Sequence, residues 1–248
     1  MPIELYIVVI ITLFIGSLIY ATFGFGDALF AMPILTLFLG TQTATPLMTL
    51  NGLLLSSFML IMHYQYIVWK DVIRLLLGAV LGIPIGIFFL KNGNEHAIKI
   101  ILGLVIILSV VYNWKFRKQH QHIINTNFAY LFGFIAGILG GAFNTGGPPL
   151  VIYGTLSNWQ PNYFIGSLQA YFVPNDIMII IGQISSGLMT LAIVKLYAFA
   201  FPLVMLALYL GRKIRQRISV EKFNIYIYIL LLLLGSFLVI QTILKLLL

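Results

Sequence analysis

Two polar, glycine-rich segments interrupt the apolar runs of this sequence, and they hold most of the side chains that could bind a solute. The stronger segment, 140–149, carries Asn144, Thr145, Gly146 and Gly147 ahead of two consecutive prolines. A helix cannot cross it unbroken, because glycine has a low helix propensity and proline lacks a backbone N–H. The helix that restarts there offers free N–H groups and a positive dipole end, which attract an anion.

A weaker copy of this segment lies 120 positions earlier, at residues 22–29. Gly24 corresponds there to Asn144, and Gly26 corresponds to Gly146. Irregular backbone at membrane depth is tolerated where it lines a cavity, and paired breaks in the two halves of a membrane chain point to a transporter's binding site. We therefore expect the two breaks to form one substrate site.

Neutral polar side chains near the breaks could complete a shell around an anion. Each hydroxyl or amide alone is more often an interhelical hydrogen bond, and the cluster at residues 144–147 is the exception. The predicted substrate-binding residues are Thr22, Gly24, Gly26, Asn51, Asn144, Thr145, Gly146, Gly147 and Gln169.

Two carboxylates lie within otherwise uncharged stretches. Asp27 is the only formal charge in residues 5–69, and Asp176 is the only one in residues 119–194. An unpaired charge at membrane depth costs at least about 2.5–3.5 kcal/mol, so an acid there is a functional candidate by default. Both are candidate proton-coupling residues that change protonation during transport. The alternative is that each caps the following helix by accepting a free backbone N–H.

Other chemistries have little support in the sequence. The chain has no cysteine, and its four histidines are scattered without neighbouring carboxylates, so we expect no metal site. Neither a G-x-S-x-G nor an H-E-x-x-H motif occurs, which disfavours a hydrolase or an intramembrane protease. We therefore predict that the protein is not an enzyme and needs no cofactor.

The composition places this chain in a lipid bilayer. It is 61% hydrophobic and 8% charged, against about 25% charged for a soluble domain. Its Leu/Ile runs lack the alternation of an outer-membrane barrel, so the spanning elements must be helices. The net charge of +8 comes from short segments between apolar runs, which indicates topology determinants and argues against nucleic acid as a partner.

Ten helical segments, five in each half, account for the chain. The second and seventh are too short to cross a hydrocarbon core of about 30 Å, which predicts broken or re-entrant helices. A polar turn is expected over residues 40–46, and the eighth helix is expected to break near residues 173–176. The predicted segments are 5–24, 28–39, 46–63, 71–90, 96–112, 127–143, 149–156, 162–183, 188–210 and 223–248.

The two halves are predicted to be inverted repeats. Residues 1–113 form the first repeat, 114–126 a basic cytoplasmic linker, and 127–248 the second repeat. Ten of the 14 Lys and Arg residues fall in odd-numbered connections, which places those connections in the cytoplasm and both termini outside. An odd number of segments per half inverts the second repeat, so the two breaks would meet near the midplane from opposite sides.

Matching pairs of small residues support this duplication. Gly82 and Gly86 align with Ala207 and Gly211 once the offset between the halves grows to 125. Small residues four positions apart let two helices approach closely in lipid. We therefore expect both pairs to lie at helix–helix contacts.

The segments 24–33 and 144–150 resemble the duplicated glycine-rich motif of the TauE/SafE family of sulfite and organosulfonate exporters. The resemblance extends over essentially the whole chain, including the late Pro-Asn-Asp and Leu-Gly-Arg segments. It implies a multi-pass permease of the bacterial inner membrane that moves small anions, often sulfur-containing, without ATP hydrolysis. One departure is Asp27, because the family's first motif usually has glycine there. Either this acid is protonated, or it couples protons to transport, or the substrate is not a simple anion.

The leading hypothesis is a secondary transporter, an exporter of small anions such as sulfite, organosulfonates or related sulfur or carboxylate compounds, with proton coupling. The alternatives are a passive anion channel on the same scaffold and a non-transporting membrane scaffold. A channel cannot accumulate substrate against its own gradient, so proton-coupled flux separates the first two. The expected partners are the small anion and the lipid bilayer, and the sequence leaves a homo-oligomer open.

Overall fold

The computed structural model describes residues 3–116, 125–215 and 232–244. Within these ranges the protein is entirely helical, without a strand. Five of the helices, α1, α3, α4, α8 and α9, are long and apolar enough to cross a membrane. The helices are α1 (Ile3–Phe23), α2 (Asp27–Leu39), α3 (Thr41–His63), α4 (Trp69–Asn92), α5 (Glu95–Phe116), α6 (Phe128–Phe143), α7 (Gly147–Leu156), α8 (Pro161–Ser185), α9 (Leu191–Arg215) and α10 (Leu232–Leu244).

The predicted fold class, an all-α polytopic membrane protein with short second and seventh helices, is confirmed. Most of the predicted linker, 117–124, and the predicted start of the last helix, 223–231, lie outside the described residues. The division into two repeats stays a prediction.

The break expected near residues 173–176 was wrong. Helix α8 runs through Pro174 to Ser185. A proline removes one backbone hydrogen bond, and in a membrane helix neighbouring groups can satisfy the freed carbonyl, so the helix need not end there. Asp176 therefore lies inside α8, and the alternative that it caps a helix is wrong too.

The polar turn expected over residues 40–46 is also helical. Helix α3 begins at Thr41 and contains Pro46, so only Gly40, with φ 75°, bends the chain. A proline in the second turn of a helix lacks the N–H for one intrahelical hydrogen bond, and the helix continues without that bond.

Helices α4 and α6 pack through facing glycines. Gly78, Gly82 and Gly86 lie one turn apart on α4, and a Cβ atom at Gly82 would overlap the carbonyl oxygen of Phe134 on α6. Helix α9 meets α1 in a related way, since a Cβ atom at Gly211 would lie 3.1 Å from the carbonyl oxygen of Leu18. Both predicted small-residue pairs thus lie at helix–helix contacts.

Helices α3 and α8 form an antiparallel pair at the centre of the fold. The end of α3 packs against the start of α8, where a Cβ atom at Gly166 would overlap the carbonyl oxygen of Tyr66. Near the other end, Gln183 of α8 donates a hydrogen bond to Thr49 of α3. The middles of the two helices therefore cross beside both chain breaks.

Replacing Gly82 with valine is expected to destabilise the fold by about 1–3 kcal/mol, the usual cost of overpacking, because the new side chain would meet the backbone of α6. Leu81→Val, at the preceding and exposed position, is the matched control. Thermal unfolding of the purified protein in detergent should show a lower midpoint for Gly82→Val alone. Equal midpoints for both variants would contradict the close packing of α4 on α6.

Candidate functional site

The first chain break lies between α1 and α2. Helix α1 ends at Phe23, and Gly24 and Gly26 take φ angles of 85° and 102°, which favour glycine. Gly26 occupies the N-cap position of α2, and Asp27 is its first residue. The chain therefore turns within three residues and aims the start of α2 into the protein.

The second break lies between α6 and α7. Asn144 ends α6 in the left-handed conformation, with φ 54°, and its backbone N–H bonds to the carbonyl oxygen of Gly140. Helix α7 begins at Gly147, and prolines occupy its next two positions. Proline suits the first turn of a helix, because the N–H groups there have no intrahelical partner. This start also points into the protein.

Side chains of the central helix pair bond to carbonyl groups at the two breaks. Gln169 of α8 donates from Nε2 to the carbonyl oxygen of Gly24 at 2.8 Å. Thr45 of α3 donates from Oγ1 to the carbonyl oxygen of Ala142 at 3.1 Å, two residues before Asn144 at the second break. Lipid offers no hydrogen bonds to carbonyls freed by a broken helix, so these two contacts stabilise the breaks.

Both breaks line one small internal cavity. Its volume of about 30 Å³ holds on the order of one or two water molecules. A polyatomic anion therefore fits only when the surrounding helices move apart. The cavity is lined by Tyr20, Phe25, Gly26, Asp27, Ala28, Leu29, Gly52, Gly140, Asn144, Thr145, Gly146, Gly147, Pro148, Phe172, Asn175 and Asp176.

Three polar atoms at this cavity are buried and have no hydrogen-bond partner among the described residues. They are the side-chain nitrogen of Asn144, the hydroxyl of Thr145 and the side-chain oxygen of Asn175. An unsatisfied buried polar group costs about 1–3 kcal/mol, so each such group needs an explanation. The Asn144 and Thr145 groups can both donate, which suits a bound anion.

Two buried carboxylates face the same cavity. Asn51 donates to Asp27 Oδ2 at 3.3 Å, and Ser17 donates to Asn51 Oδ1 at 3.4 Å. Asp176 receives a long contact of 3.5 Å from its neighbour Asn175. Neither acid forms a salt bridge within the described part of the chain.

The structure brings most of the predicted site residues to the cavity and leaves four at its edge. Gln169 and Gly24 bond to each other in the adjacent wall. Asn51 reaches the cavity only through Asp27, and the hydroxyl of Thr22 bonds to the carbonyl oxygen of Leu18 in its own helix. These four support the site or lie outside it, whereas the others line it.

Several lining residues were missed by the sequence analysis. Asn175 precedes the predicted Asp176, and Gly52 follows the predicted Asn51. Both could therefore have been found by including the sequence neighbours of predicted residues. Phe25 and Phe172 both lie near Gly147, each about 3.9 Å from where a Cβ atom there would lie. Phe25 lies between the predicted residues Gly24 and Gly26 and could have been found in the same way, whereas nothing in the spacing of the aromatic residues marked Phe172 or Tyr20.

No metal site stands out in the described ranges. No three His, Cys, Asp or Glu side chains there lie close enough together to hold an ion. The chemistry of the cavity is therefore that of hydrogen-bond donors, helix starts and two carboxylates.

Apolar spans, two chain breaks and a polar cavity between them define a multi-pass helical membrane protein with a buried polar cavity. A family model described as "Sulfite exporter TauE/SafE" matches residues 8–238, nearly the whole chain. The chain belongs to this family of membrane transporters, and membership implies exporter-type transport of anions. No curated protein and no solved structure matches it significantly.

Thr145→Val is expected to lower substrate affinity about 10- to 100-fold while leaving the fold intact, because the lost hydroxyl has no hydrogen-bond partner among the described residues and a bond to a charged ligand is worth about 1.5–3 kcal/mol. Thr155→Val is the control, since that hydroxyl bonds within α7 away from the cavity. Transport kinetics in proteoliposomes measure both variants. Unchanged kinetics for Thr145→Val would contradict the site. Gly146→Leu is a poorer test, because a Cβ atom there would lie 2.7 Å from the carbonyl oxygen of Ala136.

Proposed function

We propose that this protein is a secondary transporter of the bacterial inner membrane that exports small anions. Sulfite, organosulfonates and related sulfur or carboxylate compounds are the substrate classes, and the cavity between the two chain breaks is their binding site. Binding, release and proton transfer all occur there, and no covalent step or ATP hydrolysis is involved.

The unpartnered donors at the cavity carry this proposal. Asn144 and Thr145 present buried donor groups at the start of α7, where the free N–H groups and the helix dipole add positive character. The start of α2 adds a second such end. These partial charges attract an anion without a Lys or Arg in the cavity, so binding stays weak enough for release.

The two carboxylates make proton coupling part of the proposal. An ionised Asp27 about 5 Å from a bound anion would repel it by roughly 3 kcal/mol at an effective dielectric constant of about 20. Protonation removes this repulsion, so a proton and the anion bind and cross together. Net export then occurs while the outward gradient of the anion exceeds the inward gradient of protons. Affinity for the anion should therefore rise as the pH on the exposed side of the site falls.

The pattern of helix packing supports two inverted repeats. If α1 to α5 are exchanged with α6 to α10, the contact of α4 with α6 becomes that of α9 with α1, and both occur. The contact of α4 with α8 becomes that of α9 with α3, which also occurs, and the α3–α8 pair maps onto itself. Because α3 and α8 are antiparallel, the relating axis would lie in the membrane plane.

This arrangement suits alternating access better than a passive channel. The cavity is nearly filled in the present conformation, and separation of α3 from α8 would open it to one side at a time. A channel requires a continuous pore through which flux only follows the gradient. Accumulation of a sulfonate in proteoliposomes against its own gradient, driven by an imposed pH difference, would separate the two.

Asp27→Asn is expected to retain substrate binding and lose the response of transport to a pH gradient, because asparagine copies the protonated acid and still accepts from Asn51. Asp71→Asn is the matched control: Asp71 is equally buried but bonds to Trp159 outside the cavity, so its variant should keep that response. Anion flux with and without an imposed pH gradient measures both. A full pH response in Asp27→Asn would show that Asp27 has only a structural role. Asp176 would then be the remaining candidate for proton coupling.

A further inference from the structure

A line of buried hydroxyls continues from the cavity along α3. Thr49, Thr45 and Thr41 are four residues apart, so they share one face of the helix, and each is at most 2% exposed. The line begins next to Gly52 in the cavity wall and ends beside Gly40, where α3 begins. At 1.5 Å per residue this is about 16 Å, close to half of a hydrocarbon core of about 30 Å.

Gln183 of α8 bonds to Thr49, the hydroxyl of this line nearest to the cavity. It lies seven residues after Asp176 and thus on the same face of α8, and it is fully buried. Its Nε2 donates to Thr49 Oγ1 at 3.0 Å, whereas its Oε1 has no partner in the described ranges. A buried amide with one unsatisfied end is costly in this environment, which indicates that it serves a state in which another group approaches.

The corresponding path toward the other membrane face is sealed. Gln169 occupies it with both amide ends satisfied, since its Nε2 bonds to Gly24 and its Oε1 accepts from Tyr20. Beyond it, Gly166 packs so tightly that a Cβ atom would overlap the carbonyl oxygen of Tyr66. The two sides of the cavity therefore differ. Of the two, the side toward Gly40 combines a line of hydroxyls with an unsatisfied amide.

Two of the three hydroxyls on this line have local partners in the present conformation. Thr49 donates to the carbonyl oxygen of Thr45 at 2.9 Å, and Thr45 donates to that of Ala142 at 3.1 Å. A hydroxyl rotates freely about its C–O bond, so the same groups can turn to donate to a passing anion. Interhelical hydrogen bonding alone would not need a third hydroxyl at Thr41, one turn farther from the cavity.

We propose that the substrate anion moves between the cavity and the membrane face at Gly40 along the Thr41, Thr45 and Thr49 face of α3. The Gln183–Thr49 hydrogen bond is the gate of this route and breaks when α3 and α8 separate. The route rests on the proposed function and adds the path and gate to its site. By the distribution of Lys and Arg, this face is the external one.

Single cysteines test the route directly, because the native chain contains none. Thr45→Cys and Thr49→Cys should react with a membrane-impermeant, sulfonate-bearing methanethiosulfonate added to one side of proteoliposomes. Gln42→Cys, at an exposed position near Gly40, marks that side. Leu47→Cys is the control, since Leu47 is equally buried but two residues, or about 200°, around the helix from Thr45.

The expected result is that Thr45→Cys and Thr49→Cys react from the side that labels Gln42→Cys, at least about tenfold faster than Leu47→Cys. Adding Gln183→Leu should raise the rate at Thr45→Cys several-fold, because the gate bond is lost. The route is wrong if Thr45→Cys and Thr49→Cys stay unreactive in protein that transports an anion, or if Leu47→Cys reacts as fast. Side-specific labelling in protein that moves no anion would instead keep the route and overturn the proposed function.

Discussion

A helix that breaks inside a membrane must find hydrogen-bond partners in the protein, because lipid supplies none. This chain breaks twice, and the central pair α3 and α8 provides a partner at each break. Gln169 of α8 donates a hydrogen bond to the carbonyl oxygen of Gly24, and Thr45 of α3 donates one to that of Ala142. The breaks can exist only where these two helices cross, so the position of the cavity follows from this requirement. The helix starts that result are the features to which we assign anion binding.

The rest of the fold encloses this centre at close range. Glycines on α4 and α6 bring two backbones into contact, and Gly211 brings α9 onto α1. Packing of this kind depends on shape, since apolar surface gains little by leaving lipid for protein. Close packing of this kind favours helix pairs that stay together, and the opening that we propose is a separation of α3 from α8. Among the described residues, about half of the buried polar side chains lie on that central pair.

Much of the fold and part of the site followed from the sequence alone. Apolar run length and glycine–proline breaks located the helices, and Gly24, Gly26 and Asn144 marked the turns that the structure contains. Pro174 misled, because tertiary contacts in a membrane bundle allow a helix to continue through proline. Tyr20, Phe172 and Gln183 could not be assigned, since their roles depend on which helices meet, and a single sequence carries no such pairing.

The central claim is that an anion binds between the starts of α2 and α7. The most direct measurement is a structure determined with a bound sulfonate or sulfite. The account predicts oxygen atoms of the anion within hydrogen-bonding distance of Asn144 and Thr145, in a cavity enlarged by separation of α3 and α8. An anion bound elsewhere in the protein, with Asn144 and Thr145 still unpartnered, would contradict it.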